Sequence, residues 1–177
     1  MELNETEKLD QVWSKLEITD CIHRWTRGAD RIDIEVMRSA FHPGANINYG
    51  YSNGPVEEFL PWVVKFHSED LVTTSHMIFN LIIELDGDRA RSEAGVDCKL
   101  RYRDPDGLAD LLVMGRYLDN WERRDQGWRI ADRTAMLDSY RTVRVEQSSH
   151  VDPWITGPAY GQHSLEDISY KYIHRRA

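Results

Sequence analysis

Two cysteines, Cys21 and Cys98, are all that 177 residues contain. They show no CxxC pair and no other metal or redox spacing, which sets disulfide scaffolds and cysteine-rich metal folds aside and leaves free thiols. Positive charge is scarce as well: 22 Lys and Arg stand against 30 Asp and Glu, a formal net charge of −8. That balance suits neither a phosphate backbone nor an anionic bilayer, so neither nucleic acid nor membrane is expected as a partner. No apolar run approaches the roughly 18 residues of a spanning helix. The start, MELNETEKLDQ, is acidic and amphipathic rather than cationic then apolar, so no secretory leader is read there and the cytoplasm is the expected compartment. G-x-G-x-x-G, P-loop and G-x-S-x-G motifs are missing, and the histidines show no zinc spacing.

What is present fits one domain with an ordinary apolar fraction and six tryptophans. Residues 5–28 read as an amphipathic helix with Leu9, Val12, Trp13, Leu16, Thr19, His23 and Thr26 on one inward stripe. Asn4 and Glu7 form a capping pair, and Gly28 marks the expected end. A short helix at 33–41 turns Ile34, Met37, Ala40 and Phe41 inward. HPG at 42–44 ends it, and ANINYGY forms a short strand. Pro55 opens a third helix in which Pro61 predicts a kink or break. From 72 onward four long strands follow, at 73–85, 88–103, 108–123 and 127–145, joined at DGD, RDPDG and RRDQG. Helices first and a meander of strands after give an α+β fold. A curved antiparallel sheet closed by the N-terminal helices would enclose a cone-shaped pocket. Residues 1–145 are read as that domain. Residues 146–177 form a Pro- and Gly-rich surface loop and then a helix with Leu165, Ile168 and Tyr172 on one face, a lid or an oligomer contact.

Several residues stand out chemically. Asp30 continues the helical stripe, so it either points inward at the helix exit or meets solvent, Arg27 or Arg31. In TTSHMIFNLIIE, strand alternation puts His76, Ile78, Asn80 and Ile82 on one mixed face that suits a pocket wall. Met77, Phe79, Leu81 and Ile83 form an apolar face that should be packed shut. His76 is either an edge histidine bonded to a carbonyl or a base working near neutral pH. Arg116 and Arg133 interrupt apolar strand faces. Each needs an anion, either an internal partner such as Asp30, Asp132 or Glu93, or developing charge on a ligand. Tyr49, Tyr117 and Tyr140 are candidate hydrogen-bond donors to the same charge.

Taken together, the helix with an inward Asp, the TxH strand and the hairpin RY-x-D-x-WERRD-x-GWRI-x-DR resemble the SnoaL-like branch of the nuclear-transport-factor-2-like (cystatin-like) superfamily over about residues 8–145. Within it the chain is similar to hexachlorocyclohexane dehydrochlorinases, scytalone dehydratases, bile acid 7α-dehydratases and lignin diarylpropane lyases. The resemblance implies Asp30 and His76 as a catalytic pair, with Arg133 assisting. Where the dehydrochlorinase pattern has a lysine, this chain has Trp25, whose indole would stack on a flat ring. The implied activity is a cofactor-independent lyase, a dehydratase or C–C/C–O eliminase. Its expected substrate is bulky, hydrophobic and ring-bearing, with Trp25, Tyr49, Asn80, Arg116, Tyr117 and Tyr140 as binding residues. Alternatives are an isomerase or cyclase using the same base, a ligand-binding protein, and an oxygenase β-subunit-like protein. A homo-oligomer, dimer or trimer, is expected.

Overall fold

The computed structural model describes residues 3–145 and 161–173. The first helix, α1 (Glu5–Arg31), begins with the expected reciprocal cap: Asn4 accepts from the Glu7 backbone N–H, and the Glu7 carboxylate accepts from that of Asn4. It runs three residues past Gly28 and ends at Ile32, which adopts φ 52°. Gly28 serves close packing instead of capping, because a Cβ there would meet Met37 Cγ and N at 2.7 Å. The expected stripe is out of phase. Leu9, Val12, Trp13 and Leu16 are exposed, while Ser14, Ile18, Cys21, Ile22, Trp25 and Ala29 face the core.

The next helix, α2 (Ile34–Arg38), is shorter than its spacing predicts, because Phe41–Asn48, HPG included, is strand β1. A short strand β2 (Asn53–Pro55) leads into α3 (Val56–Glu69), which continues through Pro61 and buries Val56, Phe59, Leu60, Val63 and His67. The long strands are β3 (Leu71–Asp86), β4 (Arg89–Asp104), β5 (Gly107–Arg124) and β6 (Gly127–Val145), within a few residues of their expected spans. Each intervening turn carries a positive-φ glycine: Gly87, Gly107 and Gly127.

These six strands form one curved, unclosed sheet in the order β2-β1-β6-β5-β4-β3. The neighbours are antiparallel except β1 and β6, which run parallel. The α+β architecture is as read from the sequence; the parallel pair is not. The core lies between the sheet and the three helices, centred on Trp25, Phe41, Phe59, Trp121 and Ile130.

Residues 146–160, the expected surface loop, and 174–177 lie outside the described residues. Among the described residues the expected tail helix is a single 3-10 turn, Ile168–Lys171, and Leu165, Ile168 and Tyr172 are exposed instead of packed. The segment docks on the end of α1. Asp167 faces Arg31 at 3.4 Å, Arg27 donates to Ser169 Oγ at 3.4 Å, and Tyr170 donates to Asp33 at 2.9 Å. Among the described residues, no helix is long and apolar enough to cross a membrane.

Candidate active site

The last turn of α1 delivers a carboxylate to the start of β3. Asp30 Oδ1 accepts from His76 Nδ1 at 2.7 Å, and Oδ2 accepts from the His76 backbone N–H at 3.1 Å. Thr74, two residues earlier on the same strand face, adds a donor to Oδ1 at 3.4 Å. A carboxylate can only accept, so in the neutral ring the His76 proton sits on Nδ1 and the lone pair is on Nε2. Burial pushes the imidazolium pKa down and the Asp30 hydrogen bond pushes it up. Asp30, helped by a hydrogen bond with Cys98 and by Tyr117, outweighs burial, and the group lies well above the ordinary 6.5. His76 and Asp30 side chains are 9% and 15% exposed, so this pair works largely out of water.

His76 opens into a cavity of about 530 Å³ between α1, α3 and the sheet. That volume suits a ring-bearing small molecule. Trp25, Tyr49, Phe59, Trp62, Phe66 and Tyr117 form an aromatic wall, and Val96, Leu111 and Val113 form the sheet floor. Among the described residues no Asp, Glu, Lys or Arg lines it. Apart from tyrosines, its titratable groups are His76, His67 and Cys98.

The expected site residues divide sharply. Asp30, His76, Trp25, Tyr49 and Tyr117 gather at or beside the cavity. Tyr140 reaches its rim but is 67% exposed. Asn80 does not reach it. It sits at φ 47° in a β-bulge between Phe79 and Ile82, exposed, and the bulge reverses the side-chain alternation. Before it Thr74, His76 and Ile78 turn inward; after it Leu81, Ile83 and Leu85 do. Met77 and Phe79, expected to be packed shut, are exposed on the outer face. Arg116 also lies outside the cavity, bonded to Asp138 at 2.9 Å and 3.6 Å from Glu93. Plain alternation puts it there, since Leu111, Val113, Gly115 and Tyr117 of β5 all face the cavity; the irregularity at Met114/Gly115 inserts its extra residue, Asp138, into β6.

Arg133 is not on the cavity wall. Its side chain is fully buried, and Nε and Nη2 each donate to Asp119 at 2.7 Å. The guanidinium lies 4.0 Å from the Tyr117 ring centroid and 5.4 Å from that of Trp25. Burial pushes its pKa down, but Asp119 holds it above the ordinary value, so it stays charged. The expected partners did not include Asp119. Three buried donors here have no acceptor: Arg133 Nη1, Trp25 Nε1 and Tyr49 Oη. Burial raises the Tyr49 pKa well above 10, which keeps the phenol protonated.

Two histidines escaped the sequence reading. His67 Nδ1 donates to Ala29 O at 3.1 Å, and His163 Nδ1 donates to Asp30 O at 2.9 Å, so both imidazoles cap carbonyls at the end of α1. The inward face of α3 could have revealed His67, which continues Val56, Phe59, Leu60 and Val63 at helical spacing. Nothing local marks His163. No set of three or more His, Cys, Asp or Glu among the described residues is arranged to hold a metal ion.

A family profile described as SnoaL-like domain matches residues 10–134. No curated protein matches. Among solved structures, hexachlorocyclohexane dehydrochlorinase LinA-type3 from Novosphingobium barchaimii LL02 is similar, at 20% identity and TM-score 0.71 over 82% of this chain and 99% of that one. A candidate scytalone dehydratase from Novosphingobium aromaticivorans is similar at 16% and 0.65, over 82% and 97%. The Kfla4162 protein from Kribbella flavida is similar at 19% and 0.69, over 74% and 95%. At these identities the likeness is one of fold.

Proposed function

The chain belongs to the SnoaL-like domain family, and from that premise we propose that it is a cofactor-independent lyase acting on a bulky, ring-bearing hydrophobic molecule. The observation that carries this reading is the 2.7 Å Asp30–His76 bond, opening into a cavity whose walls hold no charged carboxylate, lysine or arginine among the described residues. A ligand pocket alone does not require such a pair. Its neighbours among solved structures, a dehydrochlorinase and a candidate dehydratase, support an elimination.

In this mechanism His76 Nε2 takes a proton from a substrate C–H or O–H. Asp30 fixes the tautomer and balances the imidazolium that forms. The freed electron pair becomes a double bond, and the group on the neighbouring carbon leaves with its own pair. A departing hydroxide takes a proton back from the imidazolium. Trp25 Nε1, buried without an acceptor, and the Tyr49 phenol, which neighbours Tyr117, are the donors we assign to oxygen charge developing in the cavity. Arg133 works from behind the wall, as a fixed positive charge that braces Tyr117 and Trp25.

The test is turnover of a panel of hydroxylated and halogenated ring compounds, read by mass spectrometry. A lyase product has lost the mass of water, hydrogen halide or a fragment. An isomerase using the same base gives a product of unchanged mass, which would overturn the elimination. Activity must disappear in His76→Ala.

The reading includes a homo-oligomer. Leu9, Val12, Trp13 and Leu16 leave an apolar stripe exposed on α1, a surface that soluble chains tend to cover. Sedimentation of the native protein as a dimer or trimer, and of Val12→Glu/Leu16→Glu as a monomer, supports this; a native monomer contradicts it.

A further inference from the structure

His67 shares the cavity with His76 but has no part in the mechanism above. It comes from α3, on the wall beside the base. The two ring centroids are 6.4 Å apart and their planes differ by 11°. One ring-sized ligand can therefore touch both. His67 also neighbours His163, 5.7 Å away between ring centroids.

The hydrogen bonding of His67 fixes what it can offer. Nδ1 lies 3.1 Å from the Ala29 carbonyl oxygen, which can only accept, so Nδ1 carries the proton. The other nitrogen, Nε2, is then a bare lone pair. No group among the described residues donates to it. Burial, helped by the repulsion of His76 and His163, drives the pKa of this ring down to about 4, so the ring stays neutral through the physiological range. A permanent acceptor beside an apolar cavity is costly to leave unmatched once a ligand displaces water. Trp25 and Tyr49 line the same cavity, and the Trp25 Nε1 donor is buried without an acceptor.

We propose that His67 is a positioning and specificity-determining residue, whose bare Nε2 accepts a hydrogen bond from a hydroxyl of the ligand. The substrates of this cavity are then ring-bearing alcohols or phenols that present an O–H to His67 while a second position of the same ring system faces His76. A hydrocarbon or an ether of the same shape fits but leaves Nε2 unmatched. This deepens the lyase reading by naming its substrate class, and the selectivity itself does not depend on turnover.

The experiment is isothermal titration of the native protein with 2-naphthol and with 2-methoxynaphthalene. The ether keeps the ring and the oxygen but loses the donor. The expected result is 2-naphthol binding about tenfold or more tightly. In His67→Phe, which keeps a ring but no lone pair, the ratio should fall to within about twofold of unity, mainly through weaker 2-naphthol binding. In His67→Gln, whose amide can still accept, a ratio above unity should survive. Equal affinities in the native protein, or no binding of either probe, overturn the proposal without any variant, so misfolding of His67→Phe cannot shelter it. A preference that persists in His67→Phe and vanishes in His76→Ala places the hydroxyl on His76 and also overturns it. Heat of binding is read here, not product. Loss of selectivity with turnover intact refutes the role of His67, and selectivity without turnover refutes the lyase.

Discussion

Replacing Asp119 with alanine would leave the Arg133 guanidinium charged, dry and facing aromatic rings. Both side chains of the pair have no exposed surface, and both Asp119 oxygens are taken by Arg133 N–H groups at 2.7 Å. Breaking a buried pair from one side costs about 3–5 kcal/mol, because the survivor keeps its desolvation penalty and loses its partner. For a chain of this length each kcal/mol is worth roughly 2–4 °C, so the expected fall in Tm is on the order of 6–20 °C. Replacing both partners, Asp119→Leu with Arg133→Met, removes the stranded charge and should recover most of that loss. The assay is thermal and urea denaturation of native, single and double variants at one pH. If Asp119→Ala loses less than about 1 kcal/mol, water or another anion reaches Arg133 and the account of a sealed brace is wrong. If the double variant is as unstable as the single, the cost lies in lost packing and not in the stranded charge. The double variant also separates two roles: restored stability with lost turnover would assign the charge of Arg133 to the chemistry.

Other outcomes follow from the same geometry. His76→Ala and Asp30→Asn should fold and lose about 100- to 10,000-fold in kcat/KM, the usual worth of a positioned base, and near-native rates in either would remove the pair from the mechanism. Because Asp30 raises the His76 pKa above 6.5, the base is free only on the alkaline side. So kcat/KM should rise with pH through a value above 6.5, and a profile flat across neutrality contradicts that. The same shift stabilises the fold fully below pH 6.5, and the gain is lost as pH rises through the folded-state value. The stability gap between native and Asp30→Asn should therefore shrink toward alkaline pH; a widening gap would reverse the sign argued here. His67 works oppositely: its pKa falls from 6.5 to about 4, so its contribution is present above 6.5 and lost as pH falls toward 4, and His67→Phe should blunt that acid sensitivity. At the β3 bulge, Asn80→Val should cost about 1–2 kcal/mol at φ 47° while Asn80→Gly is nearly neutral, with turnover unaffected in both. Equal stability of the two would deny the left-handed conformation.

The long strands were legible because each connection between them carries a glycine at positive φ, and because runs of 16 to 19 residues rich in strand formers lie between those connections. The position of His76 on the cavity side was legible from strand alternation, since it precedes the bulge. Asn80 was misplaced because one residue of extra backbone reverses everything after it, and the sequence does not mark where a bulge will form. The Arg133–Asp119 pair was hidden by a similar shift. The last hairpin closes with Arg124 opposite Gly127, and counting back without interruption would set Asp132 opposite Asp119. The irregularity at Asn120/Trp121 places Arg133 there instead. The phase of α1 was misread because its first turns carry Leu9, Val12, Trp13 and Leu16 on a face that no described part of this chain covers. Periodicity reports an apolar stripe but not what it meets. The Asp30–His76 contact joins residues 46 apart in sequence. The residues suggested it only through family resemblance, since no local pattern encodes a meeting of helix end and strand start.

The central claim is that the Asp30 carboxylate holds His76 as a strengthened proton acceptor inside the cavity. The most direct measurement is the titration of the His76 ring by ¹⁵N and ¹H NMR in native protein and in Asp30→Asn. The account predicts a midpoint well above 6.5 with the proton retained on Nδ1, and a lower midpoint in the variant, where burial acts with no carboxylate to oppose it. A native midpoint at or below 6.5, or one that Asp30→Asn does not move, would contradict it.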